Sequence, residues 1–224
     1  MDNSLKTAVV TGISSGIGLA LAKQLLAAHY TVIGTTRSGT LPGYAHPRLH
    51  LVALEATSDQ SRTQAAAHIS ALTAGIDLLI NNAGTAPDVT AVMPDYATFT
   101  QTLDTNVTGV VFFTELLLPH LRAGGQVLFV SSAMGLARNA APNGPGYRLS
   151  KAAVNMYAAM LATRLADRPI RVLALHPGWV QTKLGGEQAP LTPEQAATGI
   201  YAAVTSDAAT GQFWDVTLPG TTQL

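Results

Sequence analysis

Cysteine is missing from all 224 residues of the sequence, and charged residues make up only 12% of it. Without cysteine the chain can form no disulfide, no thiolate nucleophile and no zinc site with cysteine ligands. The 13 basic and 13 acidic side chains cancel to a formal net charge of zero. Such a chain lacks the basic field on which non-specific nucleic-acid binding depends, so we expect no nucleic-acid partner.

Long apolar runs are also missing. The most apolar stretches, residues 107–118 and 152–161, are too short to span a bilayer, and the first contains Glu115. Residues 1–6 contain neither a basic segment nor a cleavable apolar core, and they lead directly into a strand-like run. We therefore expect a cytoplasmic protein with no membrane partner.

Metal ligands are sparse as well. His46 and His50 have the spacing of two ligands on one helical face. Pro47 and the strand-like run that follows oppose a helix at this place, and the other histidines are isolated. We therefore expect no metal site.

The sequence does contain a regular alternation of short apolar runs and long Ala- and Leu-rich segments. With 47% hydrophobic residues, 224 residues suffice for one well-buried core but not for two, which predicts a single domain over residues 1–224. The runs predict strands at 8–10, 31–34, 49–54, 78–80, 126–130 and 171–175. The longer segments predict helices at 17–28, 60–73, 96–121, 147–166 and 192–205.

Repeated strand–helix–strand units of this kind predict an α/β fold. Right-handed crossovers give a doubly wound, Rossmann-type parallel sheet with helices on both faces. Ligands of such sheets bind at the carboxyl ends of the strands. The loops at that edge hold the unusual residues of this chain, at 11–18, 35–39, 81–86, 131–146 and 176–190.

Three glycines follow the first predicted strand and open the first predicted helix. Gly12, Gly16 and Gly18 lie where a backbone must approach a pyrophosphate and place it at a helix N-terminus. Their spacing is G-x-x-x-G-x-G rather than G-x-G-x-x-G, and tight packing of a turn is the alternative explanation. The flanking strand and helix favour a nucleotide.

Tyr147 and Lys151 lie one helical turn apart, so their side chains share a helix face. A unit charge about 4 Å from the phenol, at an effective dielectric constant near 20, is worth roughly 4 kcal/mol. That energy corresponds to a lowering of the phenol pKa by about three units. The pair alone occurs by chance in many helices, but Asn106, Ser132 and the glycine motif lie upstream of it.

Taken together, these motifs resemble those of the short-chain dehydrogenase/reductase family, and of its small carbonyl reductase and C-signal-like subgroup. The resemblance covers nearly the whole chain, and it implies an NAD(P)-dependent oxidoreductase. The chain departs from the family by separating Ser132 from Tyr147 by fifteen residues instead of thirteen, and by carrying Lys183 where an acidic residue is usual. In family order, the matching motifs are Thr11–Gly18, Asn81–Gly84, Asn106, Ser132, Tyr147, Lys151 and Pro177-Gly178.

The resemblance implies four catalytic residues. Tyr147 would be the acid and base, and Lys151 would tune the phenol and hold the nicotinamide ribose. Ser131 and Ser132 compete for the role of orienting the carbonyl, and the family pattern selects Ser132. Asn106 would bend its helix and hold a water in a proton relay to the lysine.

Cofactor choice is indicated at the end of the second strand. Thr36 stands where NAD-preferring relatives carry an acidic residue, and Arg37 follows, whose guanidinium suits the extra phosphate of NADP. A plain surface arginine is the alternative, and it remains open whether Glu55, in place of an aspartate, contacts adenine. We expect NADP(H) rather than NAD(H). The implied cofactor-binding residues are Gly12, Ser14, Ser15, Gly16, Ile17, Gly18, Arg37, Asn82, Ala83, Gly84, Tyr147, Lys151, Pro177, Gly178, Val180 and Thr182.

The substrate would lie under a short flexible lid at about residues 177–192. Trp179, Leu184 and Met134 would give the pocket apolar walls suited to a hydrophobic ketone or aldehyde. The reaction would be the reversible reduction of that carbonyl to an alcohol. A nucleotide-binding signalling protein of C-signal type is the alternative, against which the complete set of catalytic residues argues.

The last expectation from the sequence concerns quaternary structure. Four small or flexible apolar residues of the helix after Tyr147 could form a helix-pairing face of a homodimer, or could pack on the sheet instead. They are Ala152, Met156, Ala159 and Met160.

Overall fold

The computed structural model describes residues 5–218, together with the backbone of residues 221 and 222. Eight strands form one sheet in the order β3-β2-β1-β4-β5-β6-β7-β8. Neighbours from β3 through β7 run parallel, and β8 pairs antiparallel with β7. The strands are β1 Thr7–Val10, β2 Thr31–Thr36, β3 Leu49–Ala53, β4 Ile76–Asn81, β5 Leu121–Val130, β6 Arg171–His176, β7 Gln212–Asp215 and β8 Thr221–Thr222.

In the described part of the chain, six α-helices connect the strands: α1 Gly16–Ala27, α2 Asp59–Leu72, α3 Tyr96–Leu103, α4 Val110–Leu117, α5 Pro145–Arg164 and α6 Pro193–Thr205. Apolar side chains fill two cores, one on each face of the sheet. Ile69 of α2, Phe113 of α4 and Leu161 of α5 belong to one core. Leu21 of α1 and Ile200 of α6 belong to the other. The predicted doubly wound α/β fold is therefore confirmed.

The strand order reverses beside β1. The chain adds β2 and β3 on one side of β1 and then places β4 on the other side. A crevice opens at the carboxyl ends of the strands where such an order reverses, and it is the usual ligand site of these sheets. The loops after β1 and β4 therefore meet where a ligand would bind.

The prediction of one continuous helix over residues 96–121 is wrong. The structure divides this segment into α3, a π-helical turn at Asp104–Gly109, α4 and a short 3₁₀ turn at Leu118–His120. A π-turn inserts an extra residue into the helix, and such turns are frequent at functional sites. The strand β7 was not predicted as a strand, and β5 begins at Leu121 rather than at residue 126.

Candidate active site

The glycine loop between β1 and α1 has the backbone that the motif predicts. Gly12 and Gly16 have φ values of +73° and +56°, in the left-handed region that favours glycine. A Cβ atom on Gly18 would lie 2.5 Å from the Asn82 side-chain nitrogen, so α1 approaches the loop after β4 too closely for any larger residue. The Ser15 side chain does not cap α1 within the described chain. The N–H groups of its first turn can therefore bind an anion.

The loop after β4 is bonded to the glycine loop. The backbone N–H groups of Asn82 and Ala83 both donate to the Thr11 hydroxyl at 3.0 Å. The Asn82 side chain donates to the carbonyl oxygens of Thr11 and Gly12 at 2.9 and 3.2 Å. Its amide hydrogens are thus used inside the protein, and Asn82 holds the glycine loop in place.

Arg37 lies directly after β2, and its side chain is exposed. Thr36 before it is buried, and its hydroxyl donates to the Thr40 carbonyl oxygen at 3.0 Å. Among the described residues, none forms an ion pair with the Arg37 guanidinium. The Glu55 carboxylate accepts bonds from the backbone and hydroxyl of Thr57 at 3.2 and 3.0 Å, so it is occupied within its own loop.

Tyr147 and Lys151 lie on α5 and both side chains are buried, with 7% and 6% of their surface exposed. The Lys151 Nζ atom lies 5.6 Å from the centroid of the Tyr147 ring. It donates a hydrogen bond of 2.8 Å to the Val130 carbonyl oxygen at the end of β5. The helix and the strand end together hold the ammonium beside the phenol.

Burial shifts the pKa values of both groups. Desolvation raises the pKa of the Tyr147 phenol, and a hydrogen bond with Ser132 opposes that rise. Desolvation lowers the pKa of Lys151 to about 8. The expected lowering of the Tyr147 pKa by Lys151 is wrong, because the pKa of the phenol is raised by its loss of hydration, which spacing in a sequence does not reveal.

The two competing serines have different partners. The Ser131 hydroxyl is buried and donates to the Asn155 side-chain oxygen at 2.6 Å, which ties β5 to α5. The Ser132 hydroxyl accepts a bond from the Met134 backbone at 3.1 Å and is hydrogen-bonded to the Tyr147 side chain. Both serines line the same cavity, and Ser132 is the one that is hydrogen-bonded to the phenol.

Asn106 lies inside the π-turn and is 1% exposed. Its side-chain nitrogen donates to the Thr85 carbonyl and the Ser150 hydroxyl at 2.8 and 3.0 Å, and its oxygen accepts from the Thr85 N–H at 2.8 Å. A Cβ atom on Gly84 would lie 3.2 Å from the Asn106 side-chain oxygen and 3.7 Å from the Lys151 Nζ atom. The space above Gly84 thus lies between these two polar groups.

The loop predicted as a flexible lid is bonded to itself. Val180 and Leu191 form a bridge, and Gln181 N–H donates to the Leu191 carbonyl at 2.8 Å. The Trp179 indole donates to the Gly185 carbonyl oxygen at 2.7 Å. A Cβ atom on Gly16 would lie 3.0 Å from the Thr182 methyl group, which places this loop beside the start of α1. The loop is therefore a closed turn rather than a loose flap.

One cavity of about 490 Å³ is lined by the start of α1, the loop after β4, the end of β5, α5 and the loop after β6. Gly84 and Ile17 line the end of the cavity near the glycine loop. Ser132, Tyr147 and Lys151 line it beside the predicted apolar residues Met134, Trp179 and Leu184. Val89 and His176 also line it, although no sequence pattern predicted a place in the site for either of them. His176 directly precedes the Pro177-Gly178 motif, a position that could have indicated it, whereas no motif includes Val89. The burial of the His176 ring lowers its pKa.

Within the described residues, no cluster of three or more His, Asp or Glu side chains is arranged to hold a metal ion. None of the described helices combines the length and apolar character needed to cross a bilayer.

Comparison with known proteins agrees with this geometry. A relative from Haemophilus influenzae named "Probable NADP-dependent dehydrogenase" is 37% identical over 179 residues, covering 77% of this chain and 70% of the relative. C-signal of Myxococcus xanthus is 37% identical over 149 residues, covering 64% of this chain and 90% of C-signal. The structure of NADPH-bound carbonyl reductase from chicken fatty liver aligns with a TM-score of 0.87 at 27% identity, covering 98% of this chain and 94% of that one.

The sequence profile of the short chain dehydrogenases matches residues 6–191. This match includes the glycine loop, Asn106, Ser132, Tyr147, Lys151 and the Pro177-Gly178 turn. The chain therefore belongs to the short-chain dehydrogenase family of oxidoreductases.

Proposed function

We propose that this protein is an NADPH-dependent oxidoreductase that reversibly reduces the carbonyl of a small hydrophobic ketone or aldehyde. The observation that carries the proposal is the convergence of Ser132, Tyr147 and Lys151 on one cavity that also has apolar walls from Met134, Trp179 and Leu184. Residues 1–224 would act as a single nucleotide-binding domain. We propose a cytoplasmic location.

The reaction needs a hydride donor, a proton donor and a group that orients the carbonyl. The cofactor supplies the hydride when it is bound against the glycine loop and the 177–182 turn. The Ser132 hydroxyl would hold the substrate oxygen, and the Tyr147 phenol would give its proton to the alkoxide that forms. Lys151 would hold the ribose and favour the ionised phenol, and Asn106 would hold a water of a proton relay to Lys151 in the space above Gly84.

Cofactor preference for NADP(H) rests on Thr36 and Arg37. An exposed guanidinium directly after β2 can bind a phosphate by charge and by paired N–H groups. Thr36 presents no carboxylate for ribose hydroxyls, and its own hydroxyl is bonded to Thr40. The Haemophilus relative, named as NADP-dependent, and the NADPH-bound chicken reductase support the same preference.

Arg37→Asp should change the preference of the enzyme from NADPH toward NADH. The substitution replaces a phosphate-binding cation by a carboxylate that repels phosphate and accepts ribose hydroxyls. The ratio of kcat/KM for the two cofactors measures the effect. Arg37→Lys, which keeps the charge, should keep the preference for NADPH. A wild-type enzyme that already prefers NADH would contradict this role for Arg37.

Ser132→Ala should reduce kcat much more than Ser131→Ala. Losing one donor to a developing oxyanion typically costs about 10²–10³ in kcat. Ser131→Ala should instead lower the unfolding temperature more, because it leaves the buried Asn155 side-chain oxygen without its partner. Steady-state kinetics and thermal unfolding of both variants measure the two effects. Equal losses of kcat would show that the two serines have been assigned incorrectly.

The function itself is tested with a panel of apolar ketones and aldehydes, offered with NADPH and with NADH. Turnover that is lost in Tyr147→Phe would establish the reductase. NADPH binding without turnover on any carbonyl would favour the second candidate, a nucleotide-binding signalling protein, which the similarity to C-signal supports.

We also propose a homodimer that pairs through α5. Met156 and Met160 are 62% and 61% exposed, so they do not pack on the sheet. Ala152 is exposed on the same helix. The mass of the protein in solution, from light scattering, decides between monomer and dimer.

A further inference from the structure

The helix that carries Tyr147 has no N-terminal cap of its own. Its N-cap residue is Gly144, which has a φ of +68° and no side chain. Pro145 follows and has no N–H group. Gly146 and Tyr147 therefore carry the first N–H groups of α5, and neither can bond within the helix. A cap must come from another part of the chain.

Asp88 supplies that cap from the loop after β4, 58 positions earlier in the sequence. Its Oδ2 atom accepts the N–H of Gly146 at 2.5 Å and the N–H of Tyr147 at 3.3 Å. Asp88 is 3% exposed, so its carboxylate is not an incidental surface contact. Aspartate is a preferred capping residue, and a negative charge is favoured at the positive end of a helix dipole.

The residues beside Asp88 strengthen this attachment. The Asn143 side chain donates to the Val89 carbonyl oxygen at 2.9 Å, and Gly144 N–H donates to the Ala91 carbonyl at 2.8 Å. The segment 88–91 is thus bonded to the end of the lengthened loop that precedes Tyr147. Gly146 permits the close approach, because a Cβ atom there would lie 2.9 Å from Asp88 Oδ2.

We infer that Asp88 is a positioning residue, which fixes the place of the Tyr147 side chain by holding the first turn of α5. The kinetic part of this inference rests on the proposed function. Tyr147 is itself one of the two residues whose N–H the carboxylate binds, so release of the cap acts directly on its backbone. A displacement of about 1 Å at a reacting group can cost about 10²-fold in rate.

The test compares Asp88→Ala with Asp88→Asn and with Asp95→Ala. Asp95 caps α3 through a bond of 3.0 Å from Thr98 N–H, so its loss removes a similar cap from another helix. Well below the unfolding temperature, Asp88→Ala should lower kcat by about 10²-fold while the Kd for NADPH changes by less than about threefold. Asp88→Asn should retain most of the activity, because asparagine caps as well as aspartate. Asp95→Ala should keep the wild-type kcat.

A second measurement does not require turnover. Each of the six tyrosines gives an NMR signal in protein labelled with ¹³Cζ-tyrosine. The signal that disappears in Tyr147→Phe belongs to Tyr147. Asp88→Ala should change the chemical shift of this signal and the pH at which it titrates. Asp88→Asn and Asp95→Ala should leave both at their wild-type values. If the wild type reduces no carbonyl, the proposed function fails, and this signal alone decides the role of Asp88.

A purely structural role would give a different result. Asp88→Ala would then lower the unfolding temperature while its kcat and Tyr147 signal stayed at their wild-type values, which would overturn the inference. If Asp88→Ala does not fold, Gly146→Ala replaces it in the test, because the added Cβ atom would push the Asp88 carboxylate away from the first turn of α5. It should lower kcat and move the Tyr147 signal in the same way, and wild-type values of both would equally overturn the inference.

Discussion

Tyr147→Phe is expected to abolish most carbonyl reduction while NADPH binding largely survives. The substitution keeps the buried ring and removes the group that gives a proton to the nascent alkoxide. General acid catalysis by a positioned side chain contributes about 10²–10⁴-fold, and a loss of this size in kcat is expected. Single-turnover reduction and fluorescence titration with NADPH separate the loss of chemistry from any loss of binding.

Tyr157→Phe is the matched control on the same helix. The Tyr157 hydroxyl donates to the Glu115 carboxylate at 2.6 Å and does not line the cavity. This variant should therefore keep its kcat, even if its unfolding temperature falls. Near-normal kcat in Tyr147→Phe, on a substrate that the wild type reduces well, would reject the acid and base role and strengthen the signalling alternative.

The alcohol-oxidising direction adds a pH dependence to the same prediction. Oxidation needs the phenolate, which accepts the alcohol proton, so the wild-type rate should fall as pH is lowered. In Tyr147→Phe the small remaining rate of alcohol oxidation should not fall in this way as the pH is lowered.

The fold could be predicted from the sequence because its signals are local. Strands buried on both faces produce short continuous apolar runs, and the helices between them are long and rich in Ala and Leu. The π-turn at Asp104–Gly109 could not be predicted in this way, because one inserted residue leaves the helical composition of residues 96–121 unchanged. The strand β7 was missed because it is only four residues long and carries a polar residue at each end.

The site was partly predictable for a related reason. Tyr147, Lys151 and the glycine motif are close in sequence to the partners that define them. Asp88 contacts a helix 58 positions away, and a single aspartate after a strand resembles any loop residue. Burial, which raises the Tyr147 pKa and lowers that of Lys151, is likewise a property of the folded chain and not of the spacing between the two residues.

Lys151→Met should weaken both NADPH binding and turnover, in contrast to Tyr147→Phe. Methionine keeps an unbranched apolar stem but removes the ammonium that donates to Val130 and lies beside the phenol. A hydrogen bond to a charged group contributes about 1.5–3 kcal/mol, which corresponds to roughly 10- to 100-fold in the Kd for NADPH. The turnover number should also fall, because the phenolate loses its neighbouring cation.

The pH profile of kcat/KM for NADPH distinguishes an effect of the Lys151 charge from an effect of its packing. That parameter reports the titrating groups of the free enzyme. Lys151 has a pKa lowered to about 8, so it is charged below that pH and neutral above it. Wild-type kcat/KM should therefore decline as pH rises through about 8, and Lys151→Met should lack that decline. Lys183→Met, which removes an exposed lysine, should keep the wild-type profile. If the decline persists in Lys151→Met, another group is titrating, and the charge of Lys151 does not act on the phenol or the cofactor.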